Sequence, residues 1–237
     1  MISAVLRLKN EAEWLPICLK SIIDIFDEIL LCTQGPQDDD TYSICLEWQK
    51  DYPTIIKHFH YPHDSRPNGP GHDKQPMDEY NRAQFYNWCF NKAKDGNWLC
   101  KWDGDMIALP GCKEALHEAV EKGYILKFRG IDVVGDIYHI GDREFCAEEA
   151  RLYKKGHYIA GPKSEKLIIE EPKYSYRNNK PLFIHTKWAK SEYSITKAWP
   201  ENWRKIEHFQ KIWERNCPKK LHDWEIPKWL REDAGKL

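Results

Sequence analysis

Short apolar runs alternate along this chain with stretches whose apolar positions recur at helical spacing. Residues 2–8 form an apolar run that predicts a strand, and polar Lys9-Asn10-Glu11 separates it from a helical pattern over residues 14–23. Residues 26–32 predict a second strand, closed by Thr33-Gln34-Gly35-Pro36-Gln37-Asp38. Asp39 or Asp40 caps a helix to about residue 49, and residues 55–59 predict a third strand. Residues 60–76 are too rich in Pro, Gly and His to be regular, and a loop of that length in a compact domain is commonly a functional lid. Residues 78–94 predict a helix with Tyr80, Phe85, Trp88 and Cys89 on its inner side. A strand over 98–106, a helix from Pro110 to about residue 122 and a strand over 124–128 follow.

This alternation is that of a mostly parallel, Rossmann-like central sheet with helices on both faces, an α/β class. Right-handed crossovers place the carboxyl ends of such strands along one edge, where ligands bind. Lys9-Asn10, Thr33-Gln34 and Asp103-Asp105 are therefore expected to meet there. The second half is less regular. Residues 131–140 suggest short antiparallel strands, Arg151 to Gly156 end a strand in a turn, and residues 182–185 predict one more short strand. From residue 191 onward, Trp199, Trp203, Ile206, Phe209 and Trp213 share one helical face, predicting a helical, Trp-rich extension over 191–237.

The stretch with the clearest chemistry is Trp98-Leu99-Cys100-Lys101-Trp102-Asp103-Gly104-Asp105-Met106. An apolar run ends there in two carboxylates separated by a glycine. In a strand, residues i and i+2 point to the same side, so Asp103 and Asp105 would converge on one ligand. Gly104 would let that ligand approach the backbone. Two anionic oxygens suit a hard divalent cation with positions left for phosphate oxygens. A plain polar turn is the alternative, because Asp and Gly are also turn residues.

Composition narrows the picture further. The 237 residues fit one large domain, and 36 basic against 37 acidic side chains give no field that would draw nucleic acid. No apolar run is long enough to span a membrane, and the first residues read as a strand rather than a secretory signal. Eight cysteines without a Cys-x-x-Cys pair, several inside apolar runs, suit buried reduced thiols and a cytoplasmic location. The 11 tryptophans and 12 tyrosines suit a cleft for sugars or bases. The absence of Gly-x-Gly-x-x-Gly and of a Gly-Lys-Ser/Thr loop argues against dinucleotide and P-loop enzymes. His58, His60, His63 and His72 are spaced too irregularly to read as a second metal site.

Five places together resemble a family 2 glycosyltransferase with the nucleotide-diphospho-sugar fold called GT-A. They are residues 3–11 with the Lys-Asn-Glu turn, residues 29–38, residues 98–106, Arg151 to Gly156 followed by Glu165, and Leu182-Phe183-Ile184-His185. They run in the family's order over about residues 2–195. The resemblance implies a GT-A domain over 1–190, with a nucleotide-sugar half at 1–106 and an acceptor half at 107–190. It implies an inverting transfer from a nucleoside-diphosphate sugar, a UDP-sugar being favoured, to a hydroxyl of a glycan, glycoprotein or lipid-linked acceptor. It further implies Mn2+ or Mg2+ held by Asp103, Asp105 and His185, with Asp103 mainly on the ribose side. Leu8, Lys9, Asn10, Glu11, Thr33, Gln34, Trp102, Asp103 and Gly104 would line the donor site. One departure stands out: the family usually carries an aspartate where this chain has Thr33, leaving Asp38 or Asp39 as substitutes.

The chemistry also asks for phosphate partners and a base. Arg82 and Lys187 are the candidate phosphate partners, although basic side chains are mostly surface groups. One positioned carboxylate suffices to deprotonate the acceptor hydroxyl for inverting displacement. Glu165 sits where the family base is found, with Glu148 and Glu149 as alternatives. The basic excess of the tail leaves weak peripheral membrane contact open. The rivals are a nucleotidyltransferase, which would usually carry a Gly-rich basic loop where Lys9-Asn10-Glu11 stands, and a non-catalytic sugar-binding module.

Overall fold

A computed structural model describes residues 1–190, 220–222 and 224–235. Its first half is built from β1 (Ile2–Leu8), α1 (Leu15–Ile22), β2 (Glu28–Gln34), α2 (Thr41–Asp51), β3 (Ile56–Tyr61), α3 (Arg82–Phe90) and β4 (Trp98–Trp102). There follow β5 (Met106–Ala108), α4 (Cys112–Lys122), β6 (Ile125–Phe128), β7 (Gly130–Val134), β8 (His139–Phe145) and β9 (Glu149–Tyr153). The remaining described elements are β10 (Lys155–Ala160), β11 (Glu165–Glu171), β12 (Ser175–Arg177), β13 (Phe183–Trp188), β14 (Lys220–Leu221) and α5 (Lys228–Ala234).

Seven strands form the main sheet in the order β12-β6-β9-β4-β1-β2-β3. Strands β4, β1, β2 and β3 are parallel neighbours, and β9 runs antiparallel between β4 and β6. Both faces of this parallel part are covered, which explains why β1 and β2 read as mostly apolar runs. Ile2, Ala4, Leu6 and Leu8 pack with α1 and α4, while Val5 lies in the cluster of Ala83, Phe85 and Cys89 from α3. A second sheet, β14-β8-β7-β13-β5, has its own core of Ile107, Ile131, Val133, Ile140 and Ile184. The carboxyl-terminal residues join it: β14 pairs with β8, and Ile226 and Leu230 lie in that core. The aromatic face from Trp199 to Trp213 lies outside the described residues.

Several boundaries differ from the sequence reading for local reasons. Helix α3 starts at Arg82 rather than residue 78, because the Asn81 side chain caps it by accepting from the Ala83 amide at 3.0 Å. Tyr80 therefore lies outside the helix and is exposed, not inward. Helix α4 starts two residues after Pro110, since Gly111 takes a left-handed conformation (φ 88°). Strand β9 ends at Tyr153 in a bend at Lys154, after which the chain enters the β10–β11 hairpin at once.

Gly130, at the start of β7, shows how closely β7 packs against the Phe183 ring of β13, its neighbour in the second sheet. A Cβ there would lie 2.3 Å from the Phe183 ring. That ring is fully buried and packs edge-on against Phe128 at 6.0 Å. Gly130→Ala is expected to lower stability by about 1–3 kcal/mol through overpacking, measured as a lower urea midpoint. An unchanged midpoint would show that the ring can move aside.

Candidate active site

Strands β1 and β4 lie side by side in parallel, so the segments following them emerge at one edge. After β1, the Lys9-Asn10-Glu11 turn is tied to the loop after β2. Asn10 takes φ 53° and exchanges bonds with Asp38, its Nδ2 donating to Oδ2 at 3.0 Å and its Oδ1 accepting from the Asp38 amide at 2.9 Å. The Glu11 amide donates to the Thr41 hydroxyl at 2.7 Å, and the Ala12 amide donates to Asp39 at 2.9 Å. Asp39 also accepts from the Thr41 amide, so it holds the edge together rather than standing free to bind a nucleoside. Lys9 pairs with Asp64, and Gln34 accepts from the Ser65 amide at 3.1 Å.

After β4 the chain departs from the expected strand. The Met106 amide donates to the Asp103 carbonyl at 3.1 Å, closing a turn before β5 enters the second sheet. Asp103 and Asp105 therefore diverge instead of sharing one side of a strand. Asp103 faces two buried arginines, Arg7 and, at 3.2 Å, Arg151. Burial works to raise its pKa, but Arg7, Lys101 and Arg151 outweigh it and hold the carboxyl well below its usual range. Arg7 also stacks over the Tyr86 ring at 4.4 Å. Asp103 keeps Arg151 if Arg7 is removed, so Arg7→Met is expected to cost about 1–3 kcal/mol. The check is a denaturation midpoint, and a neutral substitution would show the pair to be idle.

Asp105 belongs to a second network on the other side of the turn. Its Oδ1 lies 3.5 Å from His185 Nε2 on β13, and its Oδ2 lies 3.1 Å from Lys190 Nζ. Lys190 Nζ reaches Glu11 Oε2 at 2.6 Å, and His185 Nδ1 reaches Asp132 Oδ1 on β7 at 2.7 Å. Burial acts to lower the His185 pKa, yet Asp105 and Asp132 raise it to about 9. Burial, then the charge of Asp105, pushes Glu11 up to about 7 despite Lys190. Asp105 stays well below the usual carboxylate range because Lys190 and His185 outweigh its burial. Three carboxylates thus meet two cationic side chains.

Among the described residues no three His, Cys, Asp or Glu side chains already close on one point as a metal site. The donor chemistry nevertheless fits a divalent cation. Asp105 and His185 face each other, and the Asp132 bond on Nδ1 leaves Nε2 to turn toward a metal, the usual outer-shell arrangement for a ligating histidine.

The candidate bases differ in what they touch. Glu149 pairs with Lys101 at 2.6 Å and with Arg151 at 3.5 Å, and Glu148 pairs with Arg177 at 2.9 Å. Glu165, at the start of β11, has a buried Oε2 without a partner. It lines a cavity of about 670 Å³ together with Lys101, Glu149, Tyr158, Ser164 and Leu167. Its charge also reaches Arg7, where it contributes to the raised guanidinium pKa.

Other expected site residues lie elsewhere. Trp102 is fully buried and packs with Phe26, Phe128 and Phe183, its indole N–H donating to the Met106 carbonyl at 3.0 Å. It is a core residue, not a donor contact, and fully buried Leu8 is another. Gly104 is small for packing: a Cβ would lie 2.7 Å from Leu8 and 3.2 Å from Glu11, so these side chains take the space expected for a ligand. Thr33 is buried, with its hydroxyl 2.9 Å from His58 Nε2 and 3.0 Å from His60 Nδ1. Burial and the nearby His60 lower His58 to about 4, so it is neutral near pH 7. The four histidines do not gather: His63 packs against Tyr61 and Tyr80, and His72 is buried with neither nitrogen partnered. Arg82 has a buried Nε without a partner, while Lys187 is exposed beside Trp188.

No family model and no curated protein sequence matches the chain. Solved structures do. The crystal structure of S. aureus TarS 1–349 matches with a TM-score of 0.50 at 11% identity, over 78% of this chain and 60% of that one. The fold is GT-A. The structure of GalNAc-T7 with UDP, GalNAc and Mn2+ matches with a TM-score of 0.43 at 18% identity, over 57% of this chain and 24% of that one. This chain thus spans less than two thirds of either protein. Within the GT-A frame, sequence reading missed Arg7, Lys101, Asp132, Arg151 and Lys190. Arg7, Lys101 and Asp132 carried a signal, each being a charge inside an otherwise apolar strand. Lys190 carried none.

Proposed function

We propose that this chain is an inverting glycosyltransferase that moves a sugar from a nucleoside-diphosphate donor, a UDP-sugar being favoured, to an acceptor hydroxyl. The observation that carries the reading is the meeting of Asp105 with His185 at the strand-end edge of a GT-A sheet. Asp105 lies in the turn leading into β5 and His185 on β13, the strand paired with β5, so sheet pairing joins residues far apart in sequence, and they adjoin the Lys9-Asn10-Glu11 turn through Lys190. Asp105 and His185 would hold Mn2+ or Mg2+, which supplies Lewis-acid stabilisation of the leaving diphosphate when bound.

The chain's own groups do the rest. Glu165 accepts the acceptor's hydroxyl proton, the freed oxygen bonds to the anomeric carbon from the face opposite the diphosphate, and the bond from that carbon to the diphosphate oxygen breaks. Its unpartnered oxygen inside a cavity is the state a base needs before its substrate arrives. Arg82 offers an unused N–H near the start of α3 for the diphosphate. Thr33, His58 and His60 form a hydroxyl–imidazole group at the end of β2, where the resembled family holds its nucleoside through an aspartate. The donor half would then be residues 1–106 and the acceptor half 107–190, with a glycan, glycoprotein or lipid-linked acceptor. A cytoplasmic location belongs to the same proposal, supported by the free thiols of the described cysteines. Among the described residues no helix is long and apolar enough to cross a membrane.

A panel of nucleotide sugars, incubated with Mn2+ or with EDTA, tests the reading through release of nucleoside diphosphate. Metal-dependent release from at least one UDP-sugar is the expected result. No release from any donor, with no metal-dependent UDP binding, would overturn it in favour of a sugar-binding module.

A further inference from the structure

The network around Asp105 contains more than a ligand pair. Lys190, which follows β13, places its ammonium 2.6 Å from Glu11 and 3.1 Å from Asp105. Its side chain is 12% exposed, and those of Glu11 and Asp105 are 18% and 9% exposed. The imidazole of His185 approaches the other oxygen of Asp105. An ammonium thus sits at the point on which two carboxylates from different strand ends converge, beside an imidazole held from behind by Asp132. Two carboxylates and one imidazole, linked through Asp105 but not yet closed on one point, are the ligand types suited to Mn2+ or Mg2+. A carboxylate pair in such a place needs a compensating cation, because uncompensated buried charge is costly.

We propose that Lys190 is a built-in counter-ion occupying the divalent-cation position, and that Glu11 completes the ligand set with Asp105 and His185 once the ammonium leaves. The proposal rests on the metal-site part of the functional reading above. It adds a third protein ligand and a side chain that must move before the metal can enter. Loading would exchange cations: the Lys190 ammonium leaves Glu11 and Asp105 for solvent, His185 gives up its Nε2 proton to solvent, and a divalent ion replaces both positive charges. The protein then balances the same carboxylates in both states. Asp103 stays out of the exchange, since both its oxygens are held by Arg7 and Arg151.

The consequences are measurable without turnover. Mn2+ titrated into the full chain without nucleotide, followed by the electron paramagnetic resonance of free Mn2+, should bind at least tenfold tighter to Lys190→Met than to the unsubstituted protein. Adding Glu11→Gln to Lys190→Met should remove that gain. A Lys190→Met chain that binds Mn2+ no more tightly would overturn the exchange, and a double variant that keeps the gain would overturn Glu11 as a ligand.

Lys190→Met leaves two carboxylates facing each other and can impair folding, so the unsubstituted chain supplies a second test. Acetylation of lysines with acetic anhydride, read residue by residue by mass spectrometry, should label Lys190 several-fold faster when Mn2+ is present. Unchanged Lys190 labelling at saturating Mn2+ would overturn the proposal. These readouts do not involve the sugar donor. Metal exchange at Lys190 without any release from nucleotide sugars would sink the transferase reading alone, while donor turnover without Lys190 exposure would sink this inference alone.

Discussion

Asp105→Ala is expected to abolish metal-dependent UDP binding while the chain remains folded. Among the described acids at the edge, Asp105 alone touches both His185 and Lys190. Its removal takes a charged oxygen ligand from the divalent-cation site and leaves His185 Nε2 with nothing to face. The fold is expected to survive, because His185 keeps Asp132 and Lys190 keeps Glu11. Loss of a partner only indirectly attached to a metal commonly costs about 10–100-fold in affinity, so loss of a direct ligand should cost at least about 100-fold. Calorimetric titration of UDP with and without Mn2+ reads the effect, and circular dichroism checks the fold. Undiminished Mn2+-dependent binding would remove Asp105 from the metal site.

Glu165→Gln should do the reverse, leaving donor affinity intact and removing turnover. The change keeps the shape and one oxygen of the side chain but takes away the proton acceptor. A positioned general base contributes about 10²–10⁴-fold to rate, and a loss of that size in kcat is expected with the KM for the donor nearly unchanged. Glu149→Gln is the instructive comparison. Glu149 neutralises Lys101 and Arg151, and Arg151 in turn holds Asp103, so its loss should weaken stability as well as rate. Near-normal transfer by Glu165→Gln would move the base to Glu148, whose partner Arg177 is largely exposed and readily lost.

Much of the architecture was legible before folding. Residues 2–8 read as a strand because both faces of β1 are buried, and such a strand is mostly apolar, here with Ser3 and Arg7 as the exceptions. The same logic located β2, and the helical spacing over residues 14–23 located α1. Caps were legible only where their residues act locally. Asp39 and Asp40 marked the start of α2 correctly, although the N-cap is Asp40 without a side-chain bond and Asp39 beside it accepts from the Thr41 amide. The Asn81 cap of α3 was lost within a long predicted helix. Trp102 was misread because an aromatic beside two acids looks the same in sequence whether it faces a ligand or fills a core.

By itself the sequence determined the alternation of strands and helices, and so the shared edge at which Lys9, Gln34 and Asp103 emerge, because hydrophobic period and strand direction are properties of short segments. Only the tertiary structure decided which charges meet there. The turn after Trp102 sends Asp103 to Arg7 and Arg151 and sends Asp105 to His185 and Lys190, a division that two acids one residue apart do not reveal. The physical reason is that a buried charge is defined by its partners. Those partners lie on other strands, from Arg7 in β1 to Asp132 in β7, and are brought within a few ångströms only by sheet pairing.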